Sequence, residues 1–123
     1  RAALYVTEEP RGIRDLKQRQ GKELSFNNIL DLDAAMAAVA PWPTRPACAI
    51  IKHTTPCGLA VASSAGEAWR RALATDPQSA FGGVVAFNTV VDKASDPPRR
   101  SGSWSGRSRS SPPRRTCAWW NCR

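Results

Sequence analysis

The chain has 123 residues, 41% of them apolar, and a formal net charge of +8. That is enough for one small domain with a modest core. Residues 1–93 hold 11 Lys/Arg against 9 Asp/Glu, while residues 94–123 hold seven Arg against one Asp, so the basicity sits in the tail and argues poorly for nucleic-acid binding by a folded part.

Ala2 to Val6 is a short strand candidate, closed by Glu8, Glu9 and Pro10. It is too short and too soon interrupted by charge for a signal peptide. No apolar run approaches the roughly 20 residues of a membrane span, and a cytoplasmic setting is expected. Arg11 to Gly21 is polar and contains Gly12, and reads as a loop or a short helix.

Ser25, Asn27 and Asn28 then precede an apolar-periodic run, the pattern of a helix start. The run is Ile29, Leu30, Leu32, Ala35, Met36 and Val39, one face of an amphipathic helix. Asp31 and Asp33 are placed in its first turns, where the helix dipole favours negative charge. Pro41 and Pro43 end it.

Cys48 to Ile51 reads as a buried strand, followed at once by Lys52 and His53. Thr55 precedes Pro56 and is pushed toward an extended conformation. Gly58 permits a positive φ there. Leu59 to Ala62 is a second short strand candidate. Ser63 or Ser64 caps a helix through Glu67, Ala68, Trp69, Ala72 and Leu73, stopped by Asp76 and Pro77. Ser79 to Gly83 is a glycine turn, and Val84 to Phe87 is another buried strand. Strand, helix, strand, helix, strand is the grammar of a layered α/β domain.

His53 is the one histidine of the sequence. A lysine and a histidine at the mouth of a buried strand are expensive to place without a partner or a task. Histidine can accept a proton from an attacking nucleophile near neutral pH. Lysine can stabilise oxygen charge that develops in a transition state. The pair suits acyl or formyl transfer to a weakly nucleophilic amine. The plainer alternative is a histidine bonded to backbone and a lysine reaching solvent. Asn27 and Asn28 likewise read as a capped helix start, or as exposed amides for a polar ligand. Gly82 and Gly83 read as a tight turn, or as a place where a ligand approaches backbone. Cys48, Cys57, Cys117 and Cys122 show no CxxC spacing, so free thiols are expected and a zinc site is not.

In order, the chain shows RAALY, GKELSFNNILDLDAAM from Gly21, PACAIIKHTTPCGLAVA from Pro46, and ATDPQSAFGGVVAFN from Ala74. Together these blocks resemble the bifunctional purine biosynthesis family that joins AICAR formyltransferase to IMP cyclohydrolase, at the start of its formyltransferase domain. The resemblance covers residues 1–93. It implies formyl transfer from 10-formyltetrahydrofolate to the amine of the nucleotide AICAR. It also implies a cytidine deaminase-like layered α/β domain, here incomplete, and a site formed across a homodimer. By the resemblance Lys52 and His53 match the catalytic pair, and Asn28 and Gly82 match positions near the nucleotide. Thr55 departs from the family, which commonly has asparagine before the proline. No His-x-Glu is present, so the deaminase zinc motif is missing. The cyclohydrolase domain and the rest of the transferase domain have no counterpart, so the chain alone is expected to be inactive.

After Asp92 the resemblance stops. Residues 94–123 form an irregular basic tail rich in Ser, Arg and Pro. It reads as an arginine-serine segment that contacts RNA phosphates, as a disordered linker, or as the product of a reading-frame shift. The third reading is favoured, because GC-rich codons out of frame give Ser, Arg, Pro, Trp and Cys. Codons that encode no apolar strand in either alternative frame would remove that hypothesis. The competing function class is a basic-tailed nucleic-acid interaction protein.

Overall fold

The computed structural model describes Tyr5, Gln18 and residues 23–91. The strand candidate Ala2–Val6, the segment Arg11–Gly21 and the tail from residue 94 lie outside the described residues, apart from Tyr5 and Gln18. The elements are helix α1 (Phe26–Val39), strands β1 (Ala47–Lys52) and β2 (Thr55–Val61), helix α2 (Ala65–Thr75) and strand β3 (Val84–Phe87).

The three strands form one antiparallel sheet in the order β2-β1-β3. β1 lies between its neighbours and is apolar on both faces. Ala47, Ala49 and Ile51 join Val84 and Ala86 on the face covered by Leu32, Ala35 and Val39 of α1. Cys48 and Ile50 join Val85 and Phe87 on the face covered by Ala68, Trp69 and Ala72 of α2. Side chains alternate along a strand, so a continuous apolar run can serve two helices at once. The described residues thus form a helix-sheet-helix sandwich, the layered α/β arrangement expected from the sequence.

Both helix starts are capped. Ser25 Oγ accepts the Asn28 backbone N–H at 3.2 Å, and Asn28 Oδ1 accepts the Ser25 N–H at 3.1 Å, a reciprocal capping box. Of the two serines considered for α2, Ser64 is the cap, accepting from Glu67 N at 3.2 Å. Ser63 Oγ donates instead to Glu67 Oε2 at 2.7 Å.

Three expectations need correction. Asp31 and Asp33 lie beyond the first turn of α1, which holds no acidic residue, so the helix-dipole reading of both fails. The second strand starts at Thr55 rather than Leu59 and takes in Pro56. Pro56 is tolerated because β2 lies at the edge of the described sheet. The pairing passes from Ile50–Gly58 to Ile51–Pro56, leaving Cys57 as the extra residue of a bulge.

Gly58 has no positive φ. It is glycine because α2 lies on it: a Cβ there would stand 2.2 Å from the Ala72 carbonyl oxygen. Asn88 closes the other end of the sheet. Its Oδ1 accepts the Ala47 N–H at 2.8 Å, and its Nδ2 donates to the carbonyls of Trp42 and Arg45. Those bonds pin the proline-rich connection that leads into β1.

Candidate functional site

The C-terminal end of β1 feeds a hairpin whose two turn residues are His53 and Thr54, with Lys52 paired to Thr55. Two-residue hairpins built on a type I′ turn need positive φ at both central positions, and Asn-Gly is the usual solution. Here His53 has φ 52° and Thr54 has φ 63°. Left-handed backbone costs a non-glycine residue roughly 1–2 kcal/mol, and a β-branched residue is rarely found there. Something must hold this turn.

Asp31 supplies part of the answer. Its Oδ1 accepts the Thr54 backbone N–H at 2.7 Å. A hydrogen bond to a charged acceptor contributes about 1.5–3 kcal/mol, comparable with the cost of one left-handed residue. Thr54 Oγ1 adds a local bond to the His53 carbonyl at 2.6 Å, and Thr55 Oγ1 reaches the same carbonyl at 3.4 Å. The departure at Thr55 thus leaves an extended residue that also braces the turn.

Lys52 is half-buried, and its Nζ donates to the Phe81 carbonyl at 2.8 Å. Phe81 belongs to the loop between α2 and β3, next to Gly82. Gly82 has φ 75°, the left-handed conformation that the glycine turn requires. Gly83 is small for a different reason, since a Cβ on it would lie 2.9 Å from the Ile51 carbonyl oxygen. The Asp76 carboxylate steadies the start of this loop by accepting the Ser79 N–H at 2.9 Å. Hydrogen bonding from Ser79, its side chain first and its backbone N–H second, holds the Asp76 carboxyl below the usual carboxylate range, with Lys52 adding a smaller effect of the same sign.

The four residues singled out in the sequence therefore lie toward one end of the sandwich. Lys52 and His53 are at the hairpin, and Gly82 is one residue from the carbonyl that Lys52 holds. Asn28 is three residues before Asp31, on the same face of α1. Asn28 Oδ1 is committed to the cap, where it also accepts the Ser25 hydroxyl at 2.8 Å. His53 and Gly82 are exposed, open to a ligand from outside.

Sequence reasoning missed Asp31 as a site residue and missed the Phe81 carbonyl. A lone Asp inside a helix carries no pattern that names its partner, and a backbone carbonyl has no residue type at all. Cys57 lies close by but is a poor nucleophile. Burial raises its thiol pKa above the ordinary value, and its Sγ donates to the Ile50 carbonyl at 3.4 Å. Burial raises the Cys48 thiol as well. Both are free. Among the described residues no group of three or more His, Cys, Asp or Glu is placed to hold a metal ion. No described helix is long and apolar enough to cross a membrane.

A layered α/β sandwich with a Lys-His pair on a strained hairpin defines a class of site rather than a reaction. Comparison with known proteins supplies the family. The family model described as AICARFT/IMPCHase bienzyme matches residues 1–96, and the chain belongs to that family. It is also similar to the bifunctional purine biosynthesis protein PurH of Rhizobium etli, with 57% identity over 95 residues. That match covers 75% of this chain and 18% of the relative, so the chain spans less than a fifth of the curated relative's length.

Proposed function

We propose that this chain contributes the catalytic corner of an AICAR formyltransferase. The reaction is formyl transfer from 10-formyltetrahydrofolate to the amine of AICAR in purine nucleotide synthesis. The observation that carries the reading is the hairpin at Lys52–Thr55. Two successive left-handed residues, neither of them glycine, present His53 at its exposed tip. Strained backbone of this kind persists where the surroundings over-determine it, and it gathers at functional sites.

In the proposed reaction the amine nitrogen forms a bond to the formyl carbon. The bond between that carbon and N10 of the folate breaks, and tetrahydrofolate leaves with a proton on that nitrogen. The proton lost by the attacking amine goes to the His53 imidazole. Lys52 stands beside it as the cation for charge that gathers on the formyl oxygen. Its ammonium has three N–H donors and spends one on Phe81, which fixes its direction and leaves two. Gly82, without a side chain, lets the nucleotide approach the loop backbone, and the Asn28 side-chain Nδ2 takes no part in the helix cap. The same reading includes the cytidine deaminase-like fold for the complete domain, with residues 1–93 as its first part and residues 94–123 as a separate tail. It also includes a homodimer that completes the site.

The test uses a complete bifunctional protein that carries this sequence. His53→Ala is expected to lower the rate of tetrahydrofolate release by roughly 10²–10⁴, the usual effect of losing an acid–base group. Lys52→Ala is expected to act similarly through lost charge stabilisation. Unchanged turnover in both variants refutes the assignment. The 123-residue chain alone, whose match spans 18% of the relative, is expected to give no measurable turnover, because much of the rate of a two-substrate transfer comes from positioning both substrates.

A further inference from the structure

We propose that Asp31 is a positioning residue for the Lys52–His53 pair, acting through the backbone of the hairpin turn. This rests on the reading of that pair given above. The structural basis is one bond between two elements far apart in sequence: Asp31 Oδ1 of α1 accepts the Thr54 N–H at 2.7 Å. In a two-residue hairpin the ladder bonds close between the residues that flank the turn. The N–H of the second turn residue lies outside the ladder, so its acceptor is either water or a group from another element. Asp31 is that acceptor.

The consequence for His53 follows from its place in the turn. Its φ of 52° and the Thr54 φ of 63° are both disfavoured for residues with side chains. Without an outside tether, the turn would relax toward other conformations and the imidazole would move with it. Leu32 and Ala35 bury the next turn of α1 against the sheet, so Asp31 is presented from a rigid support. Lys52 is held separately, by Phe81 on the far side of the strand end. The two tethers fix the pair from two directions. Asp31 does not itself have to touch either substrate.

The test is amide hydrogen exchange in the full 123-residue chain, with Asp31→Ala and Asp31→Asn variants. Asparagine keeps an oxygen acceptor and removes the charge, whereas alanine removes both. In the unaltered chain the Thr54 amide is expected to be protected. Asp31→Ala should speed its exchange by about tenfold or more, the loss expected for a hydrogen bond to a carboxylate. Asp31→Asn should recover most of that protection, and the amides of β1 should be unaffected in both variants. A complete enzyme carrying Asp31→Ala should show a lower kcat with little change in KM, again recovered largely by asparagine.

Four results would overturn the proposal. The Thr54 amide could exchange as fast as an unfolded one in the unaltered chain. It could keep its protection in Asp31→Ala. Asparagine could do no better than alanine. Protection could be lost throughout β1, which would make Asp31 a general structural support. Full activity in His53→Ala would instead end the functional reading and leave the Asp31–Thr54 contact standing.

Discussion

From Ala47 to Ile51, β1 is fully buried, while His53, Thr54 and Thr55 just beyond it are exposed. The buried stretch obeys packing alone. Each residue faces one helix or the other, and the antiparallel register of both neighbours fixes its height. The exposed stretch obeys almost the opposite rule. Its conformation is unfavourable locally and is held by two side-chain tethers, Asp31 from α1 and Lys52 reaching the Phe81 carbonyl. A rigid interior thus supports a strained tip, which is how a small fold can aim a side chain without burying it.

That contrast can be broken from the inside. Ile51→Ala removes most of a fully buried side chain from the α1 face and is expected to cost about 2–5 kcal/mol of stability, read from chemical denaturation. A loss well under 1 kcal/mol would mean that the α1 face is not packed as described. Gly58→Ala tests the α2 face. The added Cβ meets the Ala72 carbonyl oxygen at 2.2 Å, and that oxygen belongs to helix backbone with little freedom to shift. Overpacking of this kind is expected to cost roughly 1–3 kcal/mol. A neutral outcome would show that α2 does not rest on β2 at that point.

The tip responds in the reverse direction. Thr54→Gly removes a β-branched side chain from a left-handed position and keeps the N–H that Asp31 accepts. It is expected to leave the fold unharmed or to stabilise it by up to about 1 kcal/mol, since the relief of strain exceeds the added entropy cost of glycine. A clear loss of stability would show that the turn is not strained, and strain would then say nothing of function here.

The same division explains what could be read from the sequence. β1, β3 and both helices were legible because apolar spacing and capping residues are local signals. Ser25 and Asn28 announced the start of α1, and the run from Cys48 to Ile51 announced a buried strand. The Lys-His pair and Gly82 were legible as residue types with chemistry to offer. The hairpin was not, because His53-Thr54 is an unusual pair for a left-handed turn and nothing local favours it. Gly58 was assigned a turn role for the same reason: its true constraint is the carbonyl of Ala72, fourteen positions along the chain. The role of Asp31 was hidden because its partner, the Thr54 N–H, is 23 residues away. Contacts that cross between elements leave no mark in either element's own pattern.

The most direct test of the central claim is to assay both reactions of a complete bifunctional protein carrying His53→Ala. Formyl transfer is expected to fall by roughly 10²–10⁴ while the ring-closing cyclohydrolase reaction proceeds at its usual rate. Loss of ring closure with formyl transfer intact would contradict it, and would place the Lys52–His53 hairpin in the other half of the enzyme's chemistry.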